Sequence, residues 1–160
     1  MNTIEINQEN LLKAYANGSK DNQKLLKSLF PDQNFNIKIT DRCKTFDDAC
    51  RILNLVHPFQ PVGLEDIVLG KDLKAVTAFI KLNIISRVLN EGWEPNWNDD
   101  NEKKWYPWFR MAGGFAFYVS YYDYTGTFTF LGSRLCYRSK EISDYAGTQF
   151  LPEYKDLMVL

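Results

Sequence analysis

Apolar residues at intervals of three and four positions predict helices along much of the first part of the chain. The longest runs from Asp72 to about Asn90, and Gly92 is placed to end it. Its apolar residues form two neighbouring stripes, a pattern typical of a helix that is covered on most sides. We therefore expect it to be the central helix of the core.

Three shorter helices are predicted before it, around Leu11–Ala16, Leu25–Phe30 and Phe46–Leu53. The third is preceded by Thr45, with Asp48 three residues further on, and this spacing predicts a capping box. The residues expected to end the first two helices are Gly18 and Pro31.

Alternation of apolar and polar residues predicts strands. Residues 35–39 have the pattern of a half-buried strand, and the longer alternation Phe115–Tyr121 predicts another. Thr125-Gly126 offers a turn after it, and a return strand is expected from Phe128 to Phe130. Leu135 and Tyr137 are placed to continue this sheet.

The end of the chain has the pattern of a packing helix. Ser139 is placed to cap it, and Pro152 to kink or split it. Helices thus come first, an aromatic antiparallel hairpin or three-stranded sheet next, and a helix last. This order predicts an α+β fold in one domain over residues 1–160, with the long central helix packed on the small sheet.

Composition and charge exclude some kinds of partner. Hydrophobic residues make up 45% of the 160 residues and charged residues 24%, as in a folded globular chain. The formal net charge is −1, with no basic half and no acidic tail. Because cationic contacts to phosphates supply most of the affinity for nucleic acids, this balance disfavours a bulk nucleic-acid or anionic-membrane binder.

Nothing in the pattern predicts export or membrane insertion. The first thirty residues lack the basic and apolar regions of a signal peptide. No apolar run approaches the roughly 18 residues of a membrane span. Cys43, Cys50 and Cys136 are odd in number and widely spaced, so we expect free, mostly buried thiols in a reducing cytoplasm.

Candidates for catalysis and metal binding are few. His57 is the only histidine and would have to serve any Cys–His or Ser–His nucleophile pair, yet no such motif surrounds it. Together with Cys43, Cys50 and Cys136 it offers four zinc ligands, but the closely spaced cysteine pair that anchors such sites is missing. We predict no catalytic residue, metal or cofactor.

Two acidic clusters are the remaining candidates for chemistry. Paired carboxylates can bind Mg²⁺ or act as general acid and base, so a metal-dependent hydrolase stays open as an alternative. A solvated, charged loop explains the same residues, and we predict that the protein is not an enzyme. The clusters are Asp99, Asp100 and Glu102, and Glu65-Asp66.

Aromatic residues, 15% of the chain, are concentrated after the long helix, where all four tryptophans lie within residues 93–108. Small α+β cores bury many aromatic side chains, so part of this segment is expected in the core. The rest predicts an exposed binding surface. The candidate aromatic binding residues are Trp93, Trp97, Trp105, Trp108, Tyr118 and Tyr122.

Two arginines follow the aromatic segment. If residues 134–138 form a strand, Arg134 and Arg138 project from the same face of it. Arginine beside an aromatic ring can hold a phosphate while a base stacks on the ring, so both are candidate binding residues. Alternatively they are solvated, or pair with Glu141 and Asp144.

Five short strings carry a resemblance to known sequences: Lys44–Cys50, Asn90–Trp97, Tyr106–Phe109, Gly132–Cys136 and Tyr145–Phe150. They resemble a group of small proteins without an assigned function, encoded in gut Bacteroidetes genomes, their phages and mobile elements. The likeness runs from about residue 9 to 157, and the last three strings are its most specific part. It implies a phage or mobile-element accessory protein in the cytoplasm of a bacterial host cell, and it carries over no catalytic residue.

These patterns predict a non-enzymatic protein that acts by contact through residues 93–124, with Arg134 and Arg138 at the edge. Its partner is expected to be a host protein or a phosphate-bearing, nucleotide-like small ligand. In the setting implied by the resemblance, a host-defence antagonist is one version. The alternatives are a single-stranded nucleic-acid-binding protein and the hydrolase, and a second copy of the chain is left open as a further partner.

Overall fold

The computed structural model describes residues 6–55, 70–126 and 134–159, and the chain divides into two compact units, Met1–Lys38 and Ile39–Leu160. Within the described residues, helices and a two-stranded antiparallel sheet form the predicted α+β fold. A single domain over residues 1–160 stays a prediction. No helix in these three ranges combines the length and the apolar character that crossing a membrane requires.

The first unit contains two short helices, α1 (Gln8–Asn17) and α2 (Lys20–Leu29), each beginning at a side-chain cap. Gly18 ends α1, as predicted, and its N–H donates to the carbonyl of Tyr15. The Tyr15 ring stacks on Phe35 with centroids 4.5 Å apart. The helix pair is therefore held to the segment that follows it.

The strand predicted at residues 35–39 is wrong. Residues 33–38 are irregular, and Ile39 begins α3 (Ile39–Arg42). Phe35 and Ile37 are half-buried while their polar neighbours are exposed, so the alternation does describe burial. An extended segment produces a period of two by itself, and a strand also needs a hydrogen-bonded neighbour.

Helix α4 (Phe46–Ile52) begins at the predicted capping box. Asp48 N–H donates to Thr45 Oγ1 at 3.1 Å, and the Asp48 carboxylate accepts from Thr45 N–H at 2.9 Å. The carboxylate also accepts from the N–H of Lys44 and pairs with Arg51. Two of the backbone donors at the helix start are thus satisfied reciprocally.

Replacing Asp48 with Asn is expected to lower the free energy of unfolding by about 1 kcal/mol at neutral pH. Burial by itself raises the pKa of this carboxyl. Hydrogen bonds from the Thr45 hydroxyl and from the N–H groups of Lys44 and Thr45, together with the charge of Arg51, lower it more, so the pKa lies below its ordinary value of 3.8. Because the folded-state pKa is the lower one, the contribution is complete above about pH 4 and is lost as the pH falls through the folded value. Urea unfolding of both proteins between about pH 6 and pH 3 checks this. A stability difference that does not shrink on acidification contradicts it.

The long helix α5 (Gly70–Leu89) confirms the predicted central helix. Leu82, Ile85 and Leu89 are fully buried in the core of the second unit. The helix packs mainly on α4 and on the last helix of the chain. Gly92, with φ of +81°, follows its end, as predicted.

The sheet pairs β1 (Lys104–Arg110) with β2 (Ala116–Asp123). The sequence predicted a strand at Phe115–Tyr121 but paired it with a return strand at residues 128–130, which lies outside the described residues. The observed partner precedes it instead. Gly113 and Gly114, at φ of +78° and +112°, form the turn between the strands.

Helices α6 (Lys140–Gln149) and α7 (Leu151–Met158) end the chain, with Ser139 as the predicted cap of α6. Pro152 splits the predicted helix in two, because its ring is tolerated only in the first turn of α7. The strand considered at residues 134–138 does not form. One bridge joins Tyr137 to Trp105, through N–H···O bonds of 2.8 and 2.9 Å.

Helix α6 is the layer that lies directly on the sheet. Gly147 permits this close approach, since a Cβ there would lie 2.9 Å from Pro107 Cβ and closer still to the Phe117 ring. Beside this contact, Ser120 and Ser143 join strand and helix by a buried 2.7 Å hydrogen bond. The predicted packing of the long central helix directly on the sheet is therefore wrong in this detail: α5 and the sheet contribute to one core, while α6 covers the face that carries Pro107 and Phe117.

Candidate functional site

The outer face of the hairpin, away from α6, is the most exposed aromatic surface in the described residues. Trp108 and Tyr121 lie on it, with their ring centroids 5.4 Å apart in an edge-to-face arrangement. Pro107 and Phe117, which contact Gly147, lie on the inner face. Tyr106, which pairs with Tyr121, is fully buried in the core, so the exposed part of this face begins at Trp108 and Tyr121.

A β-bulge decides which tyrosines reach this face. Trp108 pairs with Val119 but Phe109 pairs with Phe117, so Tyr118 is the extra residue of β2. In a regular strand, residues three apart point to opposite faces. The extra residue breaks that alternation and leaves Tyr118 and Tyr121 outside while Phe117 remains inside.

Four residues define what we call the aromatic face: Trp108, Arg110, Tyr118 and Tyr121. The exposed fractions are 41% for Trp108 and 51% for each tyrosine. Arg110 is exposed, and its Cζ lies 4.2 Å from the centroid of the Tyr118 ring. Stacking on the ring is a cation–π contact that orients the planar guanidinium and keeps its N–H groups available at the surface.

Two of the predicted binding residues, Trp93 and Trp97, lie in the loop that precedes β1. Both are half-buried against the core and belong to the segment 93–104, which we call the Lys104 loop. Trp93 Nε1 donates to Glu102 Oε2 at 3.2 Å. The ring of Trp97 lies 5.5 Å from Lys104 Nζ. These tryptophans therefore organise a loop.

Lys104 is fully buried at the centre of this loop. Its ammonium donates to the carbonyls of Asn96 at 2.6 Å and Asp99 at 3.2 Å, and it pairs with Glu102 at 3.3 Å. Glu102 Oε1 also accepts from the N–H of Asn96 at 2.7 Å. A buried ammonium requires partners for its donors and its charge, and the loop supplies them.

Trp105 and Tyr122, also predicted to bind, form a cross-strand pair with centroids 4.8 Å apart. Trp105 is half-buried against the core, while Tyr122 is 44% exposed. Lys103 Nζ lies 4.4 Å from the Tyr122 ring centroid. By the strand register this pair shares the face of Pro107 and therefore lies outside the aromatic face.

The two predicted arginines are exposed. Arg138 forms an ion pair with Glu91 rather than with Glu141 or Asp144. The backbone N–H of Arg138 donates to Asn90 Oδ1 at 3.1 Å. The arginine that the structure brings to the aromatic face is Arg110.

The chemical candidates do not converge into a reactive site within the described residues. No group of three or more His, Cys, Asp and Glu there is placed to hold a metal ion, and His57, Glu65 and Asp66 lie outside those residues. The three cysteines are buried and form no disulfide, as predicted. Burial raises the pKa of both Cys43 and Cys136 to about 12, which leaves almost no reactive thiolate at neutral pH.

Arg110 and Tyr121 are the members of the aromatic face that sequence reasoning missed. Gly113-Gly114 stands between two aromatic runs and is a hairpin signal that could have paired residues 104–110 with 116–123. The bulge at Tyr118 has no comparable local signal, because it is defined by the pairing of β2 with β1.

Comparison with family models, curated proteins and solved structures returns no match. The chemistry of the exposed side chains is therefore what indicates a function.

Proposed function

We propose that the protein acts by contact, binding a partner protein through the aromatic face. The observation that carries this proposal is the joint exposure of Trp108, Tyr118, Tyr121 and Arg110 on one side of the hairpin. Tryptophan, tyrosine and arginine are the residues most enriched at the energetic centres of protein interfaces. Large apolar side chains exposed next to one another commonly mark such sites.

The hairpin that presents these side chains is well braced. On its inner face α6 packs against Pro107 and Phe117, and the Ser120–Ser143 hydrogen bond ties β2 to that helix. At its open end the Lys104 loop anchors the start of β1. Rigid presentation lowers the entropy lost on association, and this supports recognition without chemical change.

A protein partner accounts for these features better than single-stranded nucleic acid. Binding of single strands combines stacked aromatic rings with a cationic groove along the phosphates. The chain has a net charge of −1, and the aromatic face as defined holds one arginine. In the setting implied by the sequence resemblance, the partner is a host protein, and the chain is a phage or mobile-element accessory protein whose binding counteracts a host defence.

The test compares two adjacent tyrosines that lie on opposite faces of β2. Tyr121→Ala and Trp108→Ala are each expected to weaken capture of the partner from a Bacteroidetes host at least about tenfold, since truncating an interface hot spot costs about 2 kcal/mol or more and a tenfold change corresponds to about 1.4 kcal/mol. Tyr122→Ala is the matched control, because this tyrosine is similarly exposed but lies off the aromatic face. Cross-linking with quantitative mass spectrometry measures capture, and thermal unfolding confirms that each variant is folded. Equal capture by the natural protein and all three variants, or a loss of capture with Tyr122→Ala alone, contradicts the proposal.

A further inference from the structure

We propose that the partner segment bound by the aromatic face is acidic, with carboxylates flanking an apolar anchor. This inference rests on the proposed function. Trp108 and Tyr121 supply the apolar part of the surface. The placement of charge around them supplies the selectivity.

Arg110 is the first element of that selectivity. Its guanidinium is stacked on Tyr118 at 4.2 Å, so its orientation is set before a partner arrives. A planar guanidinium offers paired N–H donors that match the two oxygens of a carboxylate. An acidic side chain next to an apolar anchor would meet both features of this surface together.

The other charged side chains of the hairpin leave Arg110 as the exposed charge of the aromatic face. Residues 103–126 contain four charged side chains, Lys103, Lys104, Arg110 and Asp123. Lys104 is buried and paired with Glu102, and Asp123 is half-buried and accepts from the N–H of Tyr124 at 2.7 Å. Lys103 is exposed but lies against the Tyr122 ring, off the aromatic face, so the exposed charge on that face is the cation Arg110, in a chain whose net charge is −1. Complementary charge sets the selectivity of interfaces and suppresses wrong partners.

The same charges argue against a second copy of the chain on this face. In a two-fold symmetric contact each patch meets itself, so the Arg110 side chains of both copies would be brought into one interface. Like charges brought together at an interface cost free energy. An acidic partner of a different sequence is attracted electrostatically to this face, whereas a second copy of the chain is repelled.

The experiment titrates the whole protein with blocked hexapeptides and follows the Trp108 indole N–H by NMR. The acidic probe is Asp-Glu-Phe-Leu-Asp-Glu, the neutral probe has Asn and Gln in place of Asp and Glu, and the basic probe has Lys at those four positions. We expect the acidic probe to bind about fivefold more tightly than the neutral one at low salt. Arg110→Gln should abolish that preference, and Arg110→Glu should transfer it to the basic probe. Arg87→Gln, at an exposed arginine of α5, is the matched control and should keep the preference.

Each outcome separates the acidic partner from the proposed function. Acidic and neutral probes that bind equally, with loss of both in Trp108→Ala, overturn the acidic partner and leave the contact function standing. No response to any probe overturns the acidic partner, while capture in the host decides the function independently. Tighter Arg110-dependent binding of ADP or oligo-dT than of the acidic probe also overturns it and identifies a phosphate-bearing ligand.

Discussion

Replacing Lys104 with Ala is expected to lower the free energy of unfolding by about 3 kcal/mol, the size found when one partner of a buried ion pair is removed. The ammonium is fully buried and is shared by Glu102 and the carbonyls of Asn96 and Asp99. Its loss leaves a carboxylate and two carbonyls without their shared donor, and truncation of the stem leaves a cavity. Urea unfolding followed by tryptophan fluorescence measures the change, since all four tryptophans lie within residues 93–108.

The neighbouring lysine provides the control. Lys103 is exposed beside Tyr122, so Lys103→Ala should change the unfolding free energy by less than about 0.5 kcal/mol. Lys104→Met keeps most of the apolar stem but none of the donors, and we expect a loss of about 2 kcal/mol. If Lys104→Met is as stable as the natural protein, the ammonium contributes nothing to the loop and our account of it is wrong.

Replacing Asn90 with Ala is expected to destabilise the protein by about 2–3 kcal/mol. The side chain is buried just beyond the end of α5, where Nδ2 donates to the Cys136 carbonyl at 2.9 Å and Oδ1 accepts from the Arg138 N–H at 3.1 Å. One amide thus joins the long helix to the segment that bridges to β1. Alanine would remove the amide that bonds this carbonyl and this N–H near the core, and the loss of a buried hydrogen bond carries a desolvation penalty.

A second asparagine on the same helix separates this effect from helix propensity. Asn83 is half-buried and donates to the carbonyl of Phe79, four residues earlier in the same helix. Asn83→Ala should be neutral or slightly stabilising, because alanine is the better helix former. Urea midpoints of the two variants make the comparison, and equal destabilisation by both would show that the long-range bonds of Asn90 are not the cause.

Features that depend on neighbours in the chain were predictable from the sequence. The Thr45–Asp48 capping box, the end of α5 before Gly92 and the split at Pro152 each follow from a residue type at a fixed offset. The α+β order follows because the hydrophobic period changes along the chain. The strand predicted at residues 35–39 does not form, because alternate burial is necessary for such a strand but does not by itself provide a neighbouring strand to hydrogen-bond with.

The sequence by itself also located the aromatic segment, yet only the tertiary structure decided which of its rings are exposed. Trp93 and Trp97 are held inward because Lys104 is buried beneath their loop. Tyr118 and Tyr121 reach the same face because a bulge inserts one residue into β2. Burial and strand register are set by contacts between residues far apart in the chain, so a local pattern predicts that aromatic residues will cluster but cannot determine the face on which they lie.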